Sequence, residues 1–392
     1  MKIALFTDTY LPTVDGVVTS LIATRRQLES LGHEVVVFAP GPGKSGGMRN
    51  DGVVYLRARA FRSYPGYYLA MFPSREVDLV KQEKVDIIHG HGLGFMGIKG
   101  LWASWQAKIP MVQSFHTMVQ DALAYYSPVS LNPHLLRRAL RLYLRVFLQK
   151  CKNVIVPTKA VMAEIRSIAP KANISGIVPT GVDLARFHPG IDGYSVREKW
   201  GLNGHDVVLH VGRVAAEKNL RLILDCFPSV VKEKPGAKLM VVGRGPYLQR
   251  AFQLSRKRGL AKNVVFTGFV GDWELPKYYA AADTFAIASK FETQAIVVLE
   301  AMACGKPVAG ANYRAIPEFI KDGQNGYLFD PDSRHNCSEA IVRCLEEGPD
   351  LKMGARSTAE RYSVERCARR LVKVYNNVLD MRARKTSVTS QA

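Results

Sequence analysis

The run DTFAIASKFETQAIVVLEAMACGKPVAGA, Asp283–Ala311, decides how this chain folds. TFAIA reads as a short buried strand, and GKPVAGA holds another. Between them Thr293 is placed to cap a helix starting at Gln294, and Gly305 followed by Pro307 ends it. A strand, a crossover helix and a second strand make a parallel pair. The alternation extends backwards through DVVLHVG, AKLMVVG and NVVFTGF. It fills the first half as KIALFT, a helix over Thr19–Leu31 closed by Gly32, then HEVVVFAP, VDIIHGHG, PMVQSFHT and KNVIVPT. IVPTGVDLARFHPG, Ile177–Gly190, is rich in turn formers and separates the two halves. At 392 residues the chain exceeds one ordinary core. The expected fold class is α/β, with two Rossmann-like doubly wound domains facing a cleft. They span residues 1–180 and 190–362, and a helix over 363–384 returns to the first domain.

With 47% hydrophobic and 22% charged residues the composition is that of a globular protein, not a disordered one. No apolar run approaches the roughly 18 residues of a spanning helix, and the opening MKIALFTDTYLP is too short in its apolar part for a signal peptide. A cytoplasmic protein, peripheral on the cytoplasmic face of a membrane, is expected. Six cysteines form no CxxC pair and have no histidine at zinc-finger spacing, which points to reduced core or surface residues and no metal site. The net charge of +20 calls for an anionic partner: nucleic acid, anionic lipid or a phosphorylated substrate. A nucleic-acid binder would show a basic stripe or a known binding module. No such module is legible, and acids at the cleft would repel a phosphate backbone, so a nucleic-acid partner is not expected.

In open parallel sheets ligands bind outside the carboxyl ends of the strands. Just past VVLHV stand Gly212 and Arg213, with Lys218 nearby, and Gly243-Arg244-Gly245 follows KLMVV. A glycine lets a phosphate approach the backbone, while Arg and Lys neutralise its charge. Glu292 lies before the helix of the opening run and Glu300 about two turns inside it. At ~1.5 Å per residue they stand roughly 9–12 Å apart along the axis, about the span from a ribose to a hexose across a diphosphate. AIVVLEAMA is apolar nearly all round, so Glu300 would otherwise be a buried charge without a partner.

These motifs resemble those of the family 4 retaining glycosyltransferases of GT-B fold. The match rests on the Glu-x7-Glu pair Glu292 and Glu300, on Gly212-Arg213 with Lys218, and on the linker PTGVDLARFHP. The resemblance covers almost the whole chain. It implies a nucleotide-sugar donor as substrate, no cofactor and no catalytic metal. Arg213 and Lys218 would hold the diphosphate and Glu300 the ribose. Glu292 and the backbone of Thr293, Gln294 and Ala295 would hold the donor sugar. Gly16, in the loop PTVDGV, would meet the diphosphate from the first domain. Two departures stand out: Thr180 replaces the family's usual Asn, and Asp15-Gly16 replaces a glycine pair.

The first half must supply the acceptor side. His116 ends a strand, and the resemblance makes it the group that orients donor sugar and acceptor. His89 and His91 share one strand face by period, which suits a structural or an acceptor-side role, His91 being the acceptor-side candidate. LNPHLLRRALRLYLRVFLQKCK interleaves leucines with Arg137, Arg138, Arg141, Arg145 and Lys150, as an amphipathic basic helix on an anionic bilayer would. A core-facing helix with a solvated basic face reads the same way. Ala58–Pro73 adds cations and aromatics suited to an interface. Within the family, SFHTMVQDALAYY with DIIHGHGLGFMG most resembles enzymes that glucosylate diacylglycerol or related glycerolipids. The reading is transfer of a hexose, glucose from UDP-glucose, to a membrane glycerolipid. The alternative is a GDP-mannose-dependent mannosyltransferase acting on a phosphatidylinositol-type lipid or a soluble acceptor.

Overall fold

The computed structural model describes residues 1–11, 16–42, 48–60, 68–72, 75–116 and 133–389. The chain divides into two compact units, Met1–Gly181 with Val364–Ala392, and Val182–Ser363.

The first unit runs β1 (Lys2–Phe6), α1 (Gly16–Ser30), β2 (Glu34–Pro42), β3 (Met48–Asn50), β4 (Val53–Ala60), β5 (Tyr68–Ala70), α2 (Glu76–Gln82), β6 (Ile87–Gly90), α3 (Phe95–Ala107), β7 (Met111–Ser114), α4 (Pro133–Lys150), β8 (Val154–Val156), α5 (Lys159–Ile168) and β9 (Ile174–Ile177). The strands pair in the order β3-β4-β2-β1-β6-β7-β8-β9, with β5 on β4. Only β3 and β5 run antiparallel, both against β4. Buried on both faces, the central strands carry near-continuous apolar runs, as parallel sheets require. One face packs Ala4, Phe6, Val36, Phe38 and Ile88 against Val80 of α2 and Met96 and Ala103 of α3. The other packs Ile3, Leu5, Val37, Ile87 and Val112 against Leu21 and Leu28 of α1.

The second unit runs α6 (Tyr194–Lys199), β10 (Val207–Val211), α7 (Leu220–Glu233), β11 (Lys238–Val242), α8 (Leu248–Lys257), β12 (Val264–Gly268), α9 (Leu275–Ala281), β13 (Thr284–Ile287), α10 (Ile296–Ala303), β14 (Val308–Ala311), β15 (Gly326–Phe329), α11 (Arg334–Glu346) and α12 (Gly348–Arg361). Its sheet has the order β12-β11-β10-β13-β14-β15 and is parallel throughout. Order reverses on either side of β10, which makes the carboxyl end of that strand the switch point where ligands bind.

A last helix, α13 (Val364–Thr389), belongs to the first unit. Leu371, Val374, Tyr375 and Val378 recur at helical spacing and enter the same core as α1. Burying each is worth about 1.5–3 kcal/mol as an upper figure. The stretch read as a separator is only partly one. Ile177 ends β9, while Val182 and Phe187 are buried in the core of the second unit.

Candidate active site

The opening run folds as strand, helix and strand, but the helix starts later than its sequence suggests. Thr293 does not cap it. The helix begins at Ile296, and Ala295 precedes it with φ +60°, in the left-handed region that costs a residue with a Cβ about 1–3 kcal/mol. Glu300 therefore lies one turn inside α10, not two. At the other end Gly305, φ +71°, closes a Schellman motif: its N–H reaches the Met302 carbonyl and the Lys306 N–H that of Ala301.

At the switch point the loops after β10 and β11 interlock through glycines. Gly212 and Gly243 both take positive φ, and a Cβ on Gly243 would stand 1.9 Å from the Gly212 carbonyl oxygen. Close backbone contact here brings Arg213 to the carboxyl edge of the sheet. Lys218 ends the short turn Ala216–Lys218. Each cation already meets a carboxylate. Arg213 Nη2 stands 2.5 Å from Glu217 Oε1, whose side chain is buried, and Lys218 Nζ stands 2.6 Å from Glu292 Oε1. So Glu292, expected on the donor sugar, joins Lys218 directly.

Glu300 has a partner from another element. The buried Tyr279 hydroxyl donates to its Oε2 at 2.7 Å. Burial pushes the Glu300 carboxyl above its ordinary range, against the lowering influence of the Tyr279 bond and of Arg186. Arg186 binds the carbonyl and carboxylate of Asp272, in the loop after β12, at 2.5 and 2.6 Å. His210, on β10, offers Nδ1 to the Ala286 carbonyl at 3.1 Å. Its Nε2 is buried with no hydrogen-bond partner among the described residues.

In the first unit, the carboxyl ends of β6 and β7 carry three histidines. The rings of His89 and His91 lie 4.0 Å apart, and those of His91 and His116 are stacked at 5.5 Å. The Nε2 atoms of His91 and His116 are buried without a hydrogen-bond partner among the described residues. Burial lowers His89 to about 3 and His116 to about 4, and His91 well below its usual value. At neutral pH all three are uncharged, so His116 can accept or donate a hydrogen bond but is no cation. Asp8 accepts from the N–H groups of Gly94 and Met96 at 2.9 Å and so fixes the start of α3 beside them. Among the described residues no three His, Cys, Asp or Glu side chains are arranged to hold a metal ion. Gly16 opens α1; the rest of its loop, residues 12–15, lies outside the described residues, as do 61–67 and 73 of the Ala58–Pro73 tract and the segment 117–132 after His116.

On α4 the leucines split in two. Leu144, Phe147 and Leu148 enter the core, while Leu135, Leu142 and Val146 stand exposed among Arg137, Arg138, Arg141 and Arg145. Arg141 also donates to the Ser167 carbonyl at 3.0 Å. Tyr143 donates to the Leu93 carbonyl at 2.5 Å, which holds α4 against the start of α3. Two to three turns further along α3, Trp102 and Trp105 are exposed and meet edge to face. Neither α3 nor α4 contains an acidic residue. No helix among the described residues is long and apolar enough to cross a membrane.

Sequence reasoning missed Glu217, Tyr279, Arg186 and His210. Glu217 was within reach, since an acid four residues after Arg213 can pair with it across one turn. The other three act across long separations and left no local signal.

Two parallel α/β units, one with cations and carboxylates gathered at its switch point, define the GT-B class of glycosyltransferases. The fold likeness is direct: HepE of Anabaena, solved in complex with UDP, superposes with a TM-score of 0.75 at 20% identity, over 96% of this chain and 100% of that one. Residues 14–186 match the family described as Glycosyltransferase Family 4, and residues 195–361 that described as Glycosyl transferases group 1. An alpha-monoglucosyldiacylglycerol synthase of Streptococcus pneumoniae is 32% identical over 90% of this chain and 80% of its own length. That of Acholeplasma laidlawii is 28% identical over 98% and 99%. A GDP-mannose-dependent alpha-mannosyltransferase of Corynebacterium glutamicum is 27% identical over 84% and 77%. The chain belongs to glycosyltransferase family 4 and is a hexosyltransferase.

Proposed function

We propose that this glycosyltransferase moves glucose from UDP-glucose to the hydroxyl of a membrane glycerolipid such as diacylglycerol, with retention, as a peripheral protein on the cytoplasmic face of an anionic bilayer. The observation that carries the lipid acceptor is the exposed face of α4, where Leu135, Leu142 and Val146 stand among arginines with no acid in the helix. The exposed Trp102 and Trp105 on the neighbouring helix are amphipathic rings suited to a membrane–water interface. The names of the diacylglycerol relatives support the same acceptor.

In the second unit Glu300 takes the ribose hydroxyls through the carboxylate oxygen that Tyr279 leaves open, and Glu292 with the backbone after it takes the sugar. Arg213 and Lys218 stabilise the charge that develops on the departing diphosphate. The sugar–phosphate bond breaks on the face where the acceptor oxygen attacks, and the leaving phosphate takes the acceptor's proton. No cofactor is required, and the two cations take the part a divalent metal would play. In the first unit His116, with His91, orients hydroxyl groups as a neutral hydrogen-bond partner.

The test is turnover of UDP-glucose, GDP-mannose and UDP-galactose with mixed lipid vesicles, read by product mass, with and without a chelator. Glucosyl-diacylglycerol, formed equally with chelator, is the expected product. A mannosylated phosphatidylinositol lipid would favour the alternative that the mannosyltransferase relative suggests. Product only with soluble acceptors would remove the lipid reading.

A further inference from the structure

His89 is buried, and nothing in the proposed reaction uses it. Both its ring nitrogens are nevertheless engaged. Nε2 lies 2.6 Å from the Ser114 hydroxyl, and Nδ1 lies 2.6 Å from the hydroxyl of Tyr375. Tyr375 comes from α13, 286 positions further along the chain, and is fully buried. A tyrosine in that core could have been a phenylalanine, since the ring alone fills the space beside Leu371 and Val378. The hydroxyl must therefore find a partner or leave a buried donor unsatisfied.

We infer that Tyr375 and His89 are positioning residues for the histidine pair His91 and His116, linked to it by a chain of hydrogen bonds and close ring contacts. The proposal rests on the acceptor-side role proposed for His116. A neutral imidazole has one donor and one acceptor nitrogen. The phenol is the more acidic of the two hydroxyls and donates to Nδ1, which leaves Nε2–H to donate to Ser114. That fixes both the tautomer and the plane of the His89 ring. The His91 ring packs against His89 on one side and His116 on the other. With His89 locked, His91 cannot tilt away, and the stacked pair keeps its two bare Nε2 atoms in register. Those atoms are buried without a hydrogen-bond partner among the described residues, and a substrate hydroxyl is a group that either could engage. The terminal helix thus does more than cover the sheet.

The test uses the full chain with Tyr375→Phe, which keeps the ring and removes the hydroxyl. Ser114→Ala removes the opposite partner of His89. Val378→Ala, on the same helix and in the same core, is a packing control. His116→Ala reports on the parent reading. Turnover, affinity for free UDP, melting temperature and the imidazole nitrogen shifts in NMR are measured for each. Tyr375→Phe and Ser114→Ala should lower kcat roughly 3–10-fold, the worth of one buried hydrogen bond. UDP affinity should stay within about two-fold, and the nitrogen shifts of His89 should move. Val378→Ala should lower the melting temperature and leave kcat unchanged. Wild-type kcat in Tyr375→Phe, or an equal kcat loss in Val378→Ala, overturns the proposal. If Tyr375→Phe fails to fold, the kcat of Ser114→Ala decides on the same criterion. Full activity in His116→Ala would instead sink the parent reading.

Discussion

At Arg213 and Lys218 the cations meet carboxylates before any phosphate arrives. The two pairs differ. Glu217 is buried beneath Arg213, so it holds the guanidinium in place. Glu292 is a proposed sugar ligand, so its hold on Lys218 must be exchanged for the diphosphate. Replacing Arg213 or Lys218 by Ala should cost on the order of 10²–10³ in turnover with little change in folding; full turnover in either variant would exclude the phosphate role. Glu292→Gln should release Lys218, so free UDP should bind as tightly or a few-fold more tightly while transfer collapses. A calorimetric titration showing weaker UDP binding would contradict the exchange. Glu300→Gln acts in the opposite sense. Its carboxylate is raised by burial, so its charge costs stability at neutral pH, and that cost fades as pH falls through the raised value. The variant should melt higher, by about 0.5–2 kcal/mol in stability, yet bind UDP more weakly. A lower melting temperature would count against the buried charge as the cause.

The element most open to test is α4. A helix that only covers the sheet would put its leucines inside and its arginines out, but here leucine and arginine share the exposed side. Each cation near an anionic surface is worth about 1 kcal/mol, fading with salt. Changing Arg137, Arg138 and Arg141 to Glu should release the protein from anionic vesicles in a sedimentation assay at low salt. It should also reduce activity on bilayer lipid far more than on a short-chain soluble acceptor. Unchanged sedimentation of the triple variant would leave a glycosyltransferase whose acceptor is soluble.

Across the whole molecule, buried histidines set the response to acid. His89 is held near 3, and His116 and His210 near 4, chiefly by burial. Above about pH 6.5 they are neutral in both folded and unfolded chains, and the stability they permit is fully present. As pH falls from there towards 4, the unfolded chain takes up protons the folded chain refuses. Stability should drop by up to about 1.4 kcal/mol per pH unit for each group. Asp8 and Glu300, both raised by burial, run the other way, two groups against the lowered His89, His91, His116 and His210. Urea midpoints between pH 7 and 4.5 should fall steadily from about 6.5 downwards; a flat profile to pH 5 would show that the histidines protonate in place.

The sequence by itself determined the alternation of strand and helix and the division into two α/β halves, and it marked the residues proposed for the donor side. Strand runs such as VVLHV and KLMVV are continuous and apolar because both sheet faces are covered, and the glycine, arginine and lysine after them fall at the carboxyl ends by chain order alone. It also gave Glu292 and Glu300, since one loop and one helix carry both. Less was legible where the partner is remote. The strands β3, β4, β5 and β15 were not read, because short or polar-faced strands lack a distinct period. The start of α10 was misplaced because Ala295 adopts a backbone conformation that its side chain disfavours, and only the surrounding core can enforce that. The tertiary structure decided that Tyr279 meets Glu300, that Glu292 meets Lys218, and that Tyr375 meets His89. Local periodicity says which face of a helix is apolar. It does not say which hydroxyl on that face will find an acceptor, because that depends on how separate elements pack.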